Sequence, residues 1–299
     1  MVMRAVRVVG LRIQARLKVF GCAADGRTGE RARGALSGRP SMTVSVIMTA
    51  RDTEAFVDVA ICSVLQSTYR DIELVFVDDG STDSTAERAA EWAARDSRVL
   101  LRAVGHVGRR DALKVGHSIA TGDVLCWIDS DDRVDPDGID LCLGALDDEH
   151  GIAYSHRWLI DPTGRRRGSH QKNLTPYSPA QLLVSNMVFH LRLFRRDVFD
   201  AAGGVGDLPS AIDWDLNLRM SELTGVRCMP IELYSYRVRP GRMSGMPLQE
   251  RCGQDAVRQA IERRGLTASL EIGSDGRWTV LGSPTDREQA RAQREGVQA

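Results

Sequence analysis

Between residues 43 and 150 the sequence alternates short aliphatic runs with stretches whose apolar residues recur at helical spacing. The aliphatic runs have the length of buried strands, and the stretches between them are long enough for crossover helices. Strands that alternate with helices in this way form βαβ units, so the sequence predicts an α/β fold with a mostly parallel sheet. The predicted strands of this part lie at residues 44–48, 72–77, 99–101 and 124–128.

After about residue 150 this regularity is lost. A helix is expected to open at Asp213, because acids in a first turn interact favourably with the helix dipole. Beyond residue 250 the pattern predicts one helix, a hairpin and a charged end without fixed structure. The other predicted features are strands at 153–155, 186–194 and 231–238, and hairpin turns at 161–164 and 274–276.

Carboxylates stand at the ends of two predicted strands. Asp79 follows the second strand, and the run Asp129-Ser130-Asp131-Asp132 follows the fourth. Ligands of an open α/β sheet bind at the carboxyl ends of its strands, so these acids mark a candidate site. Three carboxylates within four residues repel one another unless a cation lies among them. A divalent ion on oxygen ligands and an acidic turn solvated by water both fit this pattern.

Neither of the common phosphate-binding loops is present. No GxGxxG follows the first strand, and no GxxxxGK[ST] occurs. A bound diphosphate would therefore lack a backbone cradle and would need a metal and cationic side chains for neutralisation. This favours the divalent ion over the solvated turn at Asp131. An acid such as Asp79 can accept hydrogen bonds from a base or a ribose.

The composition excludes some classes of partner and compartment. The formal net charge is zero, which argues against a dedicated nucleic-acid binder, and the hydrophobic content of 42% supports a real core. The six cysteines form no CxxC pair. This spacing favours reduced thiols in a cytoplasmic protein over a disulfide framework.

The first forty residues are strongly basic, with nine Arg or Lys against two acids. Apolar residues of segment 1–20 recur at helical spacing, which would suit an interfacial helix on an anionic membrane surface. The alternative is that translation starts at Met42, just before the first core strand. The first interpretation predicts peripheral membrane contact through residues 1–20, and the second predicts none.

Four motifs follow one another between residues 43 and 135. They are Val44-Ser45-Val46-Ile47-Met48-Thr49, Ser63-Val64-Leu65-Gln66-Ser67-Thr68, Val77-Asp78-Asp79-Gly80-Ser81-Thr82-Asp83, and Ala120-Thr121-Gly122-Asp123 leading into residues 129–132. In this order they resemble the large family of inverting GT-A-fold glycosyltransferases, and the resemblance extends more loosely to about residue 245. It implies a GT-A fold, in which a mostly parallel Rossmann-like sheet flanked by helices is followed by an irregular acceptor-side half.

The resemblance implies contacts with the nucleoside of a sugar donor. Thr49, Ala50 and Arg51 would line the nucleoside pocket, and Asp79 would contact uracil. Arg51 stands where the family usually has Tyr, but a planar guanidinium can still stack on a base.

The resemblance also implies a metal site. Asp129 and Asp131 match the DxD motif of the family. Asp131 would be the direct ligand of Mn²⁺ or Mg²⁺, and Asp129 would lie nearer the ribose. Arg109 takes the place of a family lysine and would reach the donor.

Asp213 matches the acid of the family's Glu-Asp motif and would be the general base. The preceding Glu of that motif is Ile212 here, so Asp215 stays an alternative. Arg239 stands where the family frequently has His, a further metal ligand. The basic segment that can fold over the diphosphate is matched by Arg237, Arg239 and Arg242.

These residues predict a metal-dependent inverting glycosyltransferase that moves a sugar from a nucleoside diphosphate, UDP above all, to a hydroxyl of a glycan, a lipid-linked or a small-molecule acceptor. A sugar nucleotidyltransferase and a non-catalytic nucleotide-sugar-binding protein are the alternatives. The predicted segments are a basic extension (1–40), a nucleotide-sugar-binding half (41–150), an acceptor-binding and catalytic-base half (151–250), and a tail (251–299).

Overall fold

The computed structural model describes residues 42–170, 177–239, 247–272 and 278–281. Within these ranges the chain forms a nine-stranded sheet and a separate two-stranded sheet. The strands are β1 (Val44–Ala50), β2 (Ile72–Asp79), β3 (Val99–Val104), β4 (Val124–Trp127), β5 (Arg133–Val134), β6 (His150–Ile160), β7 (Arg166–Ser169), β8 (Arg192–Arg195), β9 (Gly225–Arg237), β10 (Ser269–Ile272) and β11 (Trp278–Leu281). The helices are α1 (Val57–Leu65), α2 (Thr85–Arg95), α3 (Arg109–Ile119), α4 (Gly138–Gly144), α5 (Pro179–Val184), α6 (Arg196–Ala201), α7 (Ile212–Met220) and α8 (Pro247–Arg263).

The first four strands confirm the predicted α/β fold. They lie in the order β3-β2-β1-β4 and all run parallel. The crossovers are α1, α2 and α3, as the alternating pattern predicts. Because these strands are parallel, the carboxyl ends of β1, β2 and β4 meet at one edge of the sheet.

The core covers both faces of this sheet. In β1, Val46 and Met48 pack into one hydrophobic cluster, while Ile47 between them packs into the other. Leu74 and Val75 of β2 divide between the clusters in the same way. Successive side chains of a strand point to opposite faces, so a continuous aliphatic run is required where both faces are buried.

The second half of the sheet mixes parallel and antiparallel pairs. From β4 the order continues β8-β6-β9-β5, and only the β6–β9 pair in this part is parallel. β5 begins directly after the acidic run 129–132 and pairs with β9, with Arg133 opposite Ser235. The acidic run therefore bridges the end of β4 and the end of β9.

The strand predicted over 186–194 is wrong for residues 186–191, because only β8 is formed. The carbonyl of Val188 accepts a hydrogen bond of 2.9 Å from the Asn217 side chain instead of a strand partner. The Asn186 amide likewise bonds to the Asp213 carboxylate at 2.9 Å. The backbone carbonyl of Val188 is thus satisfied by a side chain of α7, and that of Leu191 accepts the Ser155 N–H at 2.9 Å.

The tail contains the predicted helix, α8, and the predicted strand pair, β10–β11. The turn at 274–276, the charged end and the basic extension 1–40 lie outside the described residues. Membrane contact through residues 1–20 and a cytoplasmic location therefore stay predictions. In the part of the chain that is described, no helix combines the length and the apolarity needed to cross a membrane.

Candidate active site

The ends of β1 and β2 are joined by side-chain bonds to backbone. Asp52, just beyond β1, has a left-handed backbone (φ 51°) and accepts the Thr82 N–H at 2.8 Å. Its own N–H donates to Ser81 at 3.1 Å. Arg51 beside it is exposed, and its guanidinium contacts the ring of His106. The predicted nucleoside pocket thus lies at the ends of β1 and β2, where the side chains of Arg51 and Asp52 are exposed.

Asp79 organises the loop in front of α3. Its buried carboxylate accepts the backbone N–H groups of Val107 at 2.7 Å and Gly108 at 3.1 Å. The turn after it requires Gly80, which has a φ of +69°, and a Cβ there would lie 2.8 Å from the His106 nitrogen. The predicted nucleobase contact therefore also has a structural role, which is to hold the loop that leads to Arg109.

Asp129 is paired with the arginine predicted to reach the donor. Nη1 of Arg109 lies 2.7 Å from Oδ1 of Asp129, and the Asp129 N–H donates to the Tyr234 hydroxyl at 3.2 Å. Burial acts to raise the pKa of Asp129, but the charge and hydrogen bond of Arg109 outweigh it and hold that pKa at about 2. The Asp129 carboxylate therefore stays ionised.

The other two acids of the run have different partners. Oδ2 of Asp131 accepts a bond of 2.6 Å from Nε of Arg239. Oδ1 of Asp132 accepts the Arg237 backbone N–H at 2.7 Å, which ties the run to the end of β9. Burial raises the pKa of Asp132 well above its usual value, and the neighbouring charges of Asp129 and Asp131 raise it further. Asp132 is thus a structural anchor at the edge of the site.

Arg237, predicted to contact the donor, is bonded to backbone carbonyls in this structure. Its guanidinium donates to the carbonyls of Asp131, Asp161 and Pro162 at 2.6–3.0 Å, and the residue is 5% exposed. It holds the β6–β7 turn against the acidic run. Arg239, two residues further on, differs from Arg237 in that its side chain reaches the Asp131 carboxylate. Arg242 lies outside the described residues.

Asp213 lies in the first turn of α7 and faces the same cluster. Its charge, together with the stronger effect of Asp129, raises the pKa of Arg109 above the usual arginine value. Oδ2 of Asp213 accepts the neutral Asn186 amide at 2.9 Å. The helix is preceded by Ala211 in a left-handed conformation (φ 55°), and Gln249 of α8 accepts the Ala211 N–H at 3.1 Å. Such strain concentrates at functional sites.

Asp215, the alternative base, is occupied elsewhere. Its buried carboxylate is paired with Arg219 at 2.8 Å, one turn further along α7. A Cβ on Gly206 would lie 2.4 Å from the same carboxylate, so that loop covers it. Among the two acids of this helix, Asp213 is therefore the one oriented toward Arg109 and Asp129.

The fold brings to this site three residues that were not among the predicted site residues. His190 is buried, and its Nε2 lies 3.9 Å from Oδ2 of Asp129. Arg192 is 1% exposed. Its guanidinium donates to the Asn217 side chain at 2.7 Å and to the backbone carbonyl of Asp213 at 3.5 Å. Asn186 orients Asp213. The three come from an irregular segment and the strand that follows it, and their only signal in the sequence is that polar residues stand within an apolar run.

The residues fit a divalent cation that is shared with a diphosphate. Asp129 and Asp131 are oxygen donors of the kind that Mn²⁺ and Mg²⁺ use, but each has one oxygen bonded to an arginine. Within the described ranges, no group of three His, Cys, Asp or Glu side chains could hold a metal ion. In the described part of the chain these two carboxylates are therefore the ligands on offer, and phosphate oxygens and water would supply the others.

A family model, glycosyl transferase family 2, matches residues 45–203, more than half of the chain. The chain belongs to this family. It is a glycosyltransferase, and the matched range runs from β1 through the acidic run and β8 to the loop that covers Asp215.

Two polysaccharide synthases are among its relatives. The hyaluronan synthase of Pasteurella multocida is 25% identical over 230 residues, which cover 75% of this chain and 24% of that protein. The chondroitin synthase of Escherichia coli is 28% identical over 183 residues, 60% of this chain and 26% of that protein. The chain thus spans about a quarter of the length of these relatives.

Two solved structures share the fold. TarS 1-349 of S. aureus in complex with UDP-GlcNAc has a TM-score of 0.59 at 17% identity, covering 74% of this chain and 66% of that chain. The mannosyltransferase PcManGT of Pyrobaculum calidifontis, in complex with GDP-Man and Mn²⁺, has a TM-score of 0.54 at 15% identity, covering 78% and 69%. At these identities the likeness shows the fold alone.

Proposed function

We propose that this glycosyltransferase is metal-dependent and inverting, and that it moves a sugar from a nucleoside diphosphate, UDP in the first place, to a hydroxyl acceptor. The observation that carries the proposal is the presence of two kinds of carboxylate at one edge of the sheet. Asp129 and Asp131 are each paired with a guanidinium, whereas Asp213 accepts a bond from a neutral amide. The first two suit a cation and a diphosphate, and the third suits proton transfer.

The donor would bind across the strand ends. Arg51 would stack on the base, and Asp79 would accept from it. Asp131 and Asp129 would hold Mn²⁺ or Mg²⁺, which when bound stabilises negative charge on the leaving diphosphate. Arg109, already beside Asp129, would neutralise further phosphate charge. UDP as the donor nucleotide is supported by the UDP-GlcNAc complex of TarS, and the GDP-Man complex of PcManGT supplies the alternative to test.

Asp213 would act as the general base. It takes the proton from the acceptor hydroxyl while that oxygen forms a bond to the anomeric carbon and the bond to the diphosphate oxygen breaks. Attack from the face opposite the leaving diphosphate inverts the anomeric configuration in a single step. A carboxylate held by the Asn186 amide can accept a proton without giving up an ion pair. A positioned base of this kind contributes about 10²- to 10⁴-fold to the rate.

The test is a donor and acceptor panel with product identification. The full chain is incubated with Mn²⁺, a set of UDP- and GDP-sugars, and hydroxyl acceptors that include hyaluronan and chondroitin oligosaccharides, because two relatives are synthases of these polymers. The expected result is release of a nucleoside diphosphate, loss of activity with a chelator, and an inverted anomeric centre by NMR. In a parallel incubation with UTP or GTP and sugar 1-phosphates, release of pyrophosphate with formation of a nucleoside diphosphate sugar would indicate a nucleotidyltransferase. Binding of the donor without turnover would indicate a non-catalytic protein.

A further inference from the structure

Arg237 and Arg239 contact different groups of Asp131, the first its backbone carbonyl and the second its carboxylate. Arg237 is buried and bonded to three backbone carbonyls, one of them that of Asp131. Arg239 holds the Asp131 carboxylate, with Nε 2.6 Å from Oδ2, and both side chains are partly exposed (29% and 19%). Its guanidinium carbon lies 5.7 Å from the centre of the Phe56 ring. Of the two arginines, Arg239 is therefore the one whose side chain can move away from Asp131.

The pair at Asp131 opposes a metal ion. A divalent cation on Asp131 would lie within a few ångströms of the Arg239 guanidinium, and like charges at that range repel strongly. The carboxylate is already neutralised, so the donor-free protein gains little by taking up the ion. Asp129 offers no alternative, because Arg109 is bonded to it at 2.7 Å. The donor-free site is thus closed to a metal by its own arginines.

A bound diphosphate would make metal binding at Asp131 favourable. Its oxygens accept charge-assisted hydrogen bonds from a guanidinium in the same way as a carboxylate, and they carry more negative charge. An arginine that moves from Asp131 to the diphosphate frees the Asp131 oxygen for a cation, which the phosphate also binds. We propose that Arg239 is an exchange residue, which neutralises Asp131 in the donor-free enzyme and transfers to the diphosphate when donor and cation enter together. This inference rests on the proposed function.

The exchange makes metal and nucleotide binding strongly coupled. Mn²⁺ binding is measured from the EPR signal of the free ion, with and without UDP, so the readout is independent of turnover. For the wild-type protein we expect weak binding of Mn²⁺ alone and binding at least about tenfold tighter with UDP. The same factor must appear when UDP binding is titrated with and without Mn²⁺, because coupling is reciprocal.

Arg239→Gln should weaken this coupling from both sides. Without the guanidinium, Mn²⁺ alone binds about fivefold more tightly, which is the effect of losing one partly exposed pair. UDP with Mn²⁺ binds about tenfold more weakly, because a charge-assisted bond to the diphosphate is lost. Arg239→Lys keeps the charge and should retain weak binding of Mn²⁺ alone.

The matched control is Arg98→Gln. Arg98 is paired with Asp96 at 2.8 Å and the two side chains are 27% and 26% exposed, but the pair lies at the start of β3, remote from the acidic run. This variant should bind Mn²⁺ and UDP like the wild type. If Arg239→Gln also binds Mn²⁺ and UDP with wild-type affinities, the proposed exchange is wrong, while the proposed transferase function is unaffected. If the wild type binds neither UDP nor Mn²⁺ with UDP, both the exchange and the proposed function fail.

Discussion

The two sides of the site are held in different ways. On the side proposed to bind the nucleotide (the nucleotide side), backbone groups at the ends of β1 and β2 hold a carboxylate, since Asp79 accepts the N–H groups of Val107 and Gly108. On the side proposed to bind the acceptor (the acceptor side), formed by residues 186–191 and the start of α7, a side-chain amide, Asn186, holds the Asp213 carboxylate. We expect backbone support to make the nucleotide side rigid, and side-chain support to let the acceptor side adjust to its acceptor.

The largest stability effect is expected from Gly80→Ala on the nucleotide side. The new Cβ would lie 2.8 Å from the backbone nitrogen of His106, at a φ of +69° that alanine disfavours. We expect a loss of about 2–4 kcal/mol in the free energy of unfolding, measured by urea denaturation, together with weaker UDP binding. Gly105→Ala is the control, because a Cβ there meets nothing within 4 Å. Equal stability of the two variants would contradict a rigid nucleotide side.

A smaller effect is expected from acid. Burial, with a smaller contribution from the charge of Arg196, lowers the pKa of His117 to about 3. Nε2 of this histidine accepts the Trp127 N–H at 2.8 Å and so ties α3, which carries Arg109, to β4. The unfolded state binds the proton near pH 6.5, so stability present above that pH is lost as the pH falls toward 3.

The loss should be about 2 kcal/mol between pH 7 and pH 5, measured by urea unfolding at each pH. In His117→Gln the side-chain carbonyl can still accept from Trp127, but the proton-linked part of the slope is absent. A variant with the same pH dependence as the wild type would show that acid acts elsewhere, and the link between α3 and β4 would lose its support.

A change confined to the acceptor side should affect catalysis and not the nucleotide. Asn186→Ala removes the amide that orients Asp213. We expect the transfer rate to fall about tenfold, the effect of one lost hydrogen bond to a charged group, with an unchanged Kd for UDP. Gln66→Ala, which removes an exposed amide after α1, serves as the control. An equal loss of UDP affinity in Asn186→Ala would mean that the two sides are not separate.

The difference between local and long-range contacts also determines how much of the fold and of the site could be predicted from the sequence. The strands and crossovers up to β4, and the acids at their ends, follow from local patterns, because a buried parallel strand must be aliphatic and its end carries the ligand-binding residues. The pairs that complete the site depend on contacts between residues far apart in the chain. Asn186 and Asp213 are 27 positions apart, and Arg239 and Asp131 are 108 apart. No periodicity reports such pairs.

The basic segment that contains Arg237 and Arg239 shows why such contacts could not be predicted from the sequence. Arg237 and Arg239 were equivalent in the motif, yet one lies on the backbone of the β6–β7 turn and the other on Asp131. The β9 strand runs through Arg237, so its side chain is fixed by the register of the sheet, while Arg239 lies two residues beyond the strand. The predicted strand at 231–238 ends within one residue of the observed end of β9, but the sequence did not show which group each arginine would contact.

The central claim is that Asp213 is the base acting on a donor held by the nucleotide side. Asp213→Asn and Asp215→Asn are compared in a transfer assay, with UDP binding measured by calorimetry in parallel. We predict that Asp213→Asn loses about 10²- to 10⁴-fold in rate and keeps its Kd for UDP. Asp215→Asn, which breaks the pair with Arg219, should lower stability but leave the transfer rate of the folded protein unchanged. Transfer by Asp213→Asn within a few-fold of wild type would contradict the account.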